Sequence, residues 1–466
     1  MKRFLLFFIL LLSVIQLRAS HLMGGEITAR HLGGFDYEVT LTLYRDANGI
    51  MVENPVTINI MNDSGVYLNS IQAPMDTSIS GMLMPGFPYP IEIYVYKQTF
   101  SVPGTGTYIL SYENCCRNAA ILNLPNPSGN GMMLPTKLFV DTISNSTPVF
   151  LAPPVFFCQV NTPWQYNPLP FDADGDSLKW SLSIPLDMDG LPVVGYTLPP
   201  ADTSGPFKID SITGAINWTP NTLGNFVTSV LVQEYRNGVL IGYIIRDMQM
   251  IVVADTSQVA KISNMGLFPL NTQGYPSVEL PANQLYHVTL LASDPDPAED
   301  VTIEAYGEPF LFVNNFATFT THAKSKGNGM YGDFTWTPVP SMVRDKPYLV
   351  MFRVWGGYYS YDETILIKVV QPLGITEKPN VFSIGNVYPN PVNSTLFIPV
   401  NLDKNAEISI GIYNIIGVQI QQIPATFLEA GNRLLSANIN LKSGQYFVRV
   451  ERDGITVKTQ KITVIR

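Results

Sequence analysis

Apolar and polar residues alternate along much of the chain with a period of two. In Tyr37-Glu-Val39-Thr-Leu41-Thr-Leu43-Tyr44 one face is apolar and the other polar, and Ile91-Glu-Ile93-Tyr-Val95-Tyr96 and Thr107-Tyr-Ile109-Leu-Ser-Tyr112 follow the same pattern. Successive side chains of a strand point to opposite faces, so this period marks half-buried strands. Turn residues punctuate the runs at Ala47-Asn48-Gly49, Asp63-Ser-Gly65 and Val102-Pro-Gly104. These elements predict a β-sandwich-like domain over residues 20–150. The start of the chain breaks the alternation: Lys2 and Arg3 precede an uncharged apolar run from Phe4 to Ile15. That run is shorter than the about 20 residues needed to span a bilayer but suits a secretory leader. It predicts a signal peptide over 1–19, cleaved after Ala19.

An internal repeat follows. Asp172-Ala-Asp174-Gly-Asp176-Ser-Leu178 precedes Thr213-Gly214-Ala-Ile216-Asn-Trp218-Thr-Pro220 and an apolar strand ending near Val253. Later, Asp294-Pro-Asp296-Pro-Ala-Glu299-Asp300 precedes Asp333-Phe334-Thr-Trp336-Thr-Pro338 and strands ending near Val370. The two Trp-Thr-Pro copies lie 118 positions apart, and each Trp stands 35 or 34 residues before its closing valine. That spacing suits sandwiches of roughly 100 residues over 151–255 and 256–371. Each Trp is expected to plug a core, with the following Pro ending its strand. The copies resemble the cadherin-like or immunoglobulin-like repeats of bacterial surface proteins, whose pattern is Asp-x-Asp-Gly-Asp followed by Thr-Gly-x-Ile-x-Trp-x-Pro.

Composition narrows the class. Hydrophobic residues make up 46% and charged residues 14%, which excludes disorder, and 36 prolines with 35 glycines exclude long helices. Without the leader about 447 residues remain, room for three or four domains. The net charge of -9 offers no basic stripe for phosphates, so no nucleic-acid partner is expected. From Asn380 onward, eight Lys or Arg stand against five Asp or Glu, so the tail is basic while the rest is acidic. The shift, with Pro372 and Gly374, predicts a linker over 372–385.

Candidate chemistry is sparse. Alternate acids Asp172, Asp174 and Asp176 around Gly175 could turn several oxygens toward one hard cation such as calcium, with Asp187 and Asp189 as possible additions; a solvated acidic turn is the other reading. The glycine position and Ser183 at the twelfth loop place exclude an EF-hand. Asp294, Asp296, Glu299 and Asp300 form a second acidic turn. Trp355-Gly-Gly-Tyr358-Tyr359-Ser-Tyr361-Asp362 reads either as a sugar-stacking surface or as an ordinary aromatic hairpin. The cysteines are Cys115, Cys116 and Cys158; neighbouring cysteines rarely join, so one of the pair is expected to bond Cys158. The four histidines form no zinc helix and no Gly-x-Ser-x-Gly elbow occurs, so no enzyme is expected.

Two further resemblances concern location. His21-Leu-Met-Gly24-Gly25-Glu26-Ile27, Leu43-Tyr44-Arg45-Asp46 and Tyr112-Glu-Asn-Cys115-Cys116-Arg117-Asn118 resemble the N-terminal region of large proteins exported by bacteria with type IX secretion. In those relatives a cysteine commonly follows Tyr-Arg-Asp, where this chain has Ala47. The tail carries Tyr388-Pro389-Asn390-Pro391, a turn glycine at Gly417, Gly444-Gln-Tyr446 and a basic final strand with Lys458 and Lys461. Over 386–466 it resembles the type A C-terminal sorting domain of the type IX secretion system. That resemblance implies a β-sandwich tail recognised in the periplasm by the secretion machinery and its sortase. It also implies release of the cargo, or its attachment to surface lipopolysaccharide. The whole is expected to be an all-β protein of tandem immunoglobulin- or cadherin-like β-sandwiches, secreted or on the outer-membrane surface. Adhesion or surface scaffolding through a glycan or protein ligand is its expected role. A polysaccharide-binding accessory or hydrolase, with its site in the N-terminal domain, is the alternative.

Overall fold

A computed structural model describes residues 22–84, 90–325, 327–372 and 382–466. The expected signal peptide, and residues 373–381 of the linker expected over 372–385, lie outside these residues, while Ser383–Ile384 near the end of that linker is a strand paired with Thr395–Leu402. Strands dominate; the helices among the described residues are short 3-10 turns such as Pro127–Gly129 and Glu308–Phe310. None of them is long and apolar enough to cross a membrane. The protein is all-β, built of tandem β-sandwiches, and separates into two compact units, Met1–Pro372 and Leu373–Arg466. The division falls where the charge shift places the linker.

In the first unit, strands Leu22–Gly33, Asp36–Asp46 and Ile91–Ser101 form one arm of a sheet, and Val56–Asn62, Gly106–Asn114 and Met132–Val140 form the other. Residues of both arms, among them Leu41, Tyr96, Ile58 and Leu110, share one apolar cluster, so the sheet folds over itself. Between the arms lies the Val239–Val253 strand, which belongs to the first repeat by sequence. One edge of that strand pairs with Gly224–Arg236 throughout. Its other edge is shared in three successive segments. Tyr243 and Ile244 meet Lys137 and Thr136, Asp247 and Met248 meet Gly25 and Gly24, and Ile251 to Val253 run parallel to Phe157–Gln159. The boundary expected at residue 150 therefore lies within a continuously hydrogen-bonded sheet.

The two repeats share their pairings. Phe157–Gln159 runs parallel to the closing strand of the first, as Ser277–Pro281 does to Leu366–Val370 in the second. Trp218 pairs with Trp164 across an antiparallel bridge, and Trp336 with Tyr286. Both tryptophans are 3% exposed or less, and each donates its indole N–H to a carbonyl, Trp218 to Pro200 at 3.0 Å and Trp336 to Asn315 at 2.9 Å. A buried indole needs such an acceptor. The second repeat consists of two four-stranded sheets around Phe334, Trp336 and Val350.

The second unit is a sandwich of its own. A three-stranded sheet (Ser383–Ile384, Thr395–Leu402, Gly431–Asn438) faces a four-stranded one made of Gln419–Leu428, Ala406–Tyr413, Gly444–Arg452 and Ile455–Val464. Leu396, Ile398 and Val400 from the first meet Ile408, Ile410, Val448 and Val450 from the second.

Candidate cation site and sorting module

The first acidic turn is built around Asp172. Its Oδ1 accepts the backbone N–H groups of Asp174 at 3.0 Å and Asp176 at 2.9 Å, while Gly175 supplies the left-handed residue at φ 85°. Asp174 turns away from its neighbours and accepts the Ser146 N–H at 2.6 Å, so it belongs to the segment leading into the repeat rather than to the acid cluster. Glu234, on the Gly224–Arg236 strand, occupies the place expected of Asp174. Asp172, Asp176 and Glu234 each offer an oxygen within 4.8 Å of the others. Asp176 is held by the guanidinium of Arg236, whose Nε lies 2.9 Å away and whose Nη2 also reaches Asn145.

Glu234 is fully buried against Asp176, to which its carboxyl can hydrogen-bond when protonated; Asp172 Oδ2, Asn145 Nδ2 and Arg236 Nη1 are buried without a partner. Burial, reinforced by the neighbouring acids, pushes Glu234 up to about 9. The same cause raises Asp172 to about 6. Asp187 lies apart from this group, accepting from Asn130 at 2.9 Å and from the Gly131 N–H at 2.6 Å. The second acidic turn repeats the design: Asp294 Oδ1 accepts the Asp296 N–H at 2.7 Å, and Asp296 accepts from the Gln258 backbone. Asp294, Asp296 and Glu299 converge in the same way as the first cluster.

Beside the first turn a cleft of about 710 Å³ separates the two repeats. Phe171, Asp172, Asp176 and Trp180 line one side, and Phe312 and Arg344 the other. Arg344 is fixed by paired hydrogen bonds to Glu308 at 2.8 and 2.6 Å and by stacking 3.5 Å over the Tyr348 ring. The aromatic run near residue 358 is a hairpin between Tyr348–Gly356 and Tyr359–Val370; Tyr359 is buried and donates to Asp255 at 2.8 Å, and Tyr358 is the exposed ring.

The cysteine expectation is corrected. Cys115 bonds Cys116 across a cis peptide, and Cys158 is free. Cys158 lies in the Phe157–Gln159 strand with its sulfur in the core beside Trp164 and Trp218, whereas Cys115 is on the surface. A bridge between them would require that core strand to turn outward. Burial holds the Cys158 thiol well above its ordinary range.

In the tail the sequence-marked residues come together. Gln460 holds both the N–H and the carbonyl of Val387, at 2.8 and 3.0 Å, and Asn390 takes the Thr463 N–H at 2.8 Å and donates to the Lys461 carbonyl at 3.2 Å. Tyr388-Pro389-Asn390-Pro391, with both prolines cis, is thus fastened to the final strand. Tyr388 stacks on Phe397. Lys458 plugs the start of the domain, donating to the carbonyls of Ile384 and Gly385 at 2.9 and 2.8 Å. Lys461 points to solvent. Gly417 turns the Asn414–Val418 loop at φ 82°, and Tyr446 donates to Lys442 at 3.0 Å, its ring over Gly444.

Residues 386–465 match the family model of the secretion system C-terminal sorting domain. None of the curated proteins compared with the chain matches it. Among solved structures it is similar to a titin fragment at 12% identity, covering 48% of this chain and 99% of that one with a TM-score of 0.18. The N-terminal four immunoglobulin domains of Dscam1 align at 10% identity over 95% and 98% of the two chains, TM-score 0.17. An ectodomain fragment of ICAM-5 aligns at 9% identity over 97% and 98%, TM-score 0.17. The tandem-sandwich architecture stands on the strand pairings above. A tail of the matched family implies handling by the type IX secretion machinery and export of the protein to the cell surface or medium.

Proposed function

We propose that residues 22–372 form a surface adhesin or scaffold, and that the tail is its detachable export label. The observation that carries this reading is the tail itself: a separate sandwich with its own core, matched to a sorting domain and joined to an acidic cargo. The proposed route passes through the periplasm, where the leader has been removed. At the surface a sortase cuts before Tyr388 and the cargo is attached to lipopolysaccharide or released. Binding rather than catalysis is proposed for the cargo. Deleting residues 386–466 tests the reading: the truncated chain is expected to accumulate in the periplasm, and its display on intact cells would refute it. Mass spectrometry of the surface form should find termini near residues 20 and 385.

A second reading, polysaccharide binding, is favoured by the cleft between the repeats, where Trp180, Phe171 and Phe312 accompany fixed charges. In this reading the sugar site would lie between the second and third sandwiches, whereas the sequence-based expectation is the N-terminal domain. A glycan array combined with hydrolase substrates separates the readings. Retention without turnover supports binding, and turnover supports the hydrolase.

A further inference from the structure

Resting on the label reading above, we propose that Lys458 is the positioning residue that limits where the label is cut from its cargo, by locking the chain from Ser383 onward against a protease. The lock fills a gap in the sheet. Ser383 and Ile384 pair with Asn401 and Val400, which sets Gly385 opposite Pro399. Gly385 donates its N–H to the Pro399 carbonyl at 2.8 Å, and in an antiparallel ladder such a pair returns a second bond, from the N–H of residue 399 to the Gly385 carbonyl. Proline has no N–H to give. Lys458, on the final strand, supplies the donor instead. Its ammonium donates to the Gly385 carbonyl at 2.8 Å, to the Ile384 carbonyl at 2.9 Å and to Asn386 Oδ1 at 3.1 Å. All three of its hydrogens are used.

Neighbouring residues extend the lock in both directions. Phe382 packs against the Arg452 guanidinium, 4.5 Å from its ring centroid, and Gln460 holds both backbone groups of Val387. A Cβ on Gly385 would lie 2.9 Å from the Pro399 Cβ, so a larger residue there would push the two strands apart. A protease takes its substrate as an open, unpaired segment, so a stretch whose N–H and C=O groups are held is cut only as fast as it opens. Residues 383–387 are therefore withheld, and the cut falls before Ser383. Lys458 contributes most to this, because a hydrogen bond from a charged donor is roughly twice as strong as a neutral one.

Lys458→Met keeps the stem and removes the donors. In hydrogen exchange of the purified full chain it should speed the Gly385 and Val387 amides about tenfold or more, while amides of the Ala406–Tyr413 strand keep their wild-type rates and establish that the sandwich is folded. Adding Pro399→Ala returns an N–H to residue 399 and should recover most of the Gly385 protection, which loss of packing alone would not allow. Lys458→Gln, a milder change that leaves a neutral donor, should give an intermediate rate. On cells, mass spectrometry of the exported cargo should find a C-terminus at or before Phe382 for wild type and for the Pro399→Ala/Lys458→Met pair, and further C-termini between Ser383 and Val387 for Lys458→Met. Wild-type exchange rates in a folded Lys458→Met, or the wild-type C-terminus alone in its exported cargo, would overturn the proposal. A wild-type chain exported but never cut would overturn the label reading itself, and is seen without any variant.

Discussion

Single residues explain much of what the sequence left as motif. Gly24 in His21-Leu-Met-Gly24-Gly25-Glu26 lies at φ 133°, and a Cβ there would overlap the carbonyl oxygen of Asp247 on the adjoining strand. Glu26 beside it pairs with Arg246 through two hydrogen bonds, and Arg117 of the later motif pairs with Asp247 at 2.9 Å through both terminal nitrogens. The motif residues are thus fasteners between the N-terminal domain and the strand that follows much later. Asp172 and Asp176 were legible because alternate acids around a glycine are a local signal. Glu234 was not: it lies 58 positions beyond Asp176 within the ordinary strand run Val232-Gln-Glu234-Tyr-Arg236. Cys158 was misread because pairing rules weigh the cysteines against one another and say nothing of a core closing around one of them. Its burial makes a prediction. In the native protein an alkylating reagent should leave Cys158 unmodified, one thiol should react after denaturation, and three after denaturation with reduction; mass spectrometry counts them.

At the level of elements, period-two alternation located the strands, since alternation is a property of a strand and its own two faces. It could not say which strands share a sheet, because pairing is decided by residues far apart in sequence. The segment Ala152-Pro153 shows how the sandwiches are joined. Arg246, paired with Glu26, donates to the Ala152 carbonyl at 2.7 Å, and Arg353, paired with Asp362, donates to the Pro153 carbonyl at 2.9 Å. Asp362 also accepts the Asn167 N–H at 2.8 Å, so the pair reaches from the second repeat into the first. Arg353 and Asp362 are both fully buried. Removing one member of such a pair leaves an uncompensated charge, which costs about 3–5 kcal/mol. Asp362→Asn is therefore expected to destabilise the first unit by about that amount in urea unfolding; a loss under about 1 kcal/mol, the scale of a surface pair, would show that the junction does not depend on it.

For the molecule as a whole, the boundary near 372 was readable from charge and composition, and the boundaries inside the first unit were not. The tail has its own core and the three preceding sandwiches are fastened together, so two unfolding events are expected rather than four. Calorimetry of the full chain should show one transition that disappears on deletion of residues 386–466 and another that stays within about 2 °C of its original position. Separate transitions for each repeat would contradict the fused arrangement.

The Glu26–Arg246 pair joins residues 220 positions apart, on strands that neighbour each other in the sheet. While a ribosome is making the chain, the opening strand has no lasting neighbour on that side until residue 253 or so has emerged. The nascent N-terminal region must therefore remain open through more than half of synthesis, a state in which a chain can still be threaded through a narrow pore.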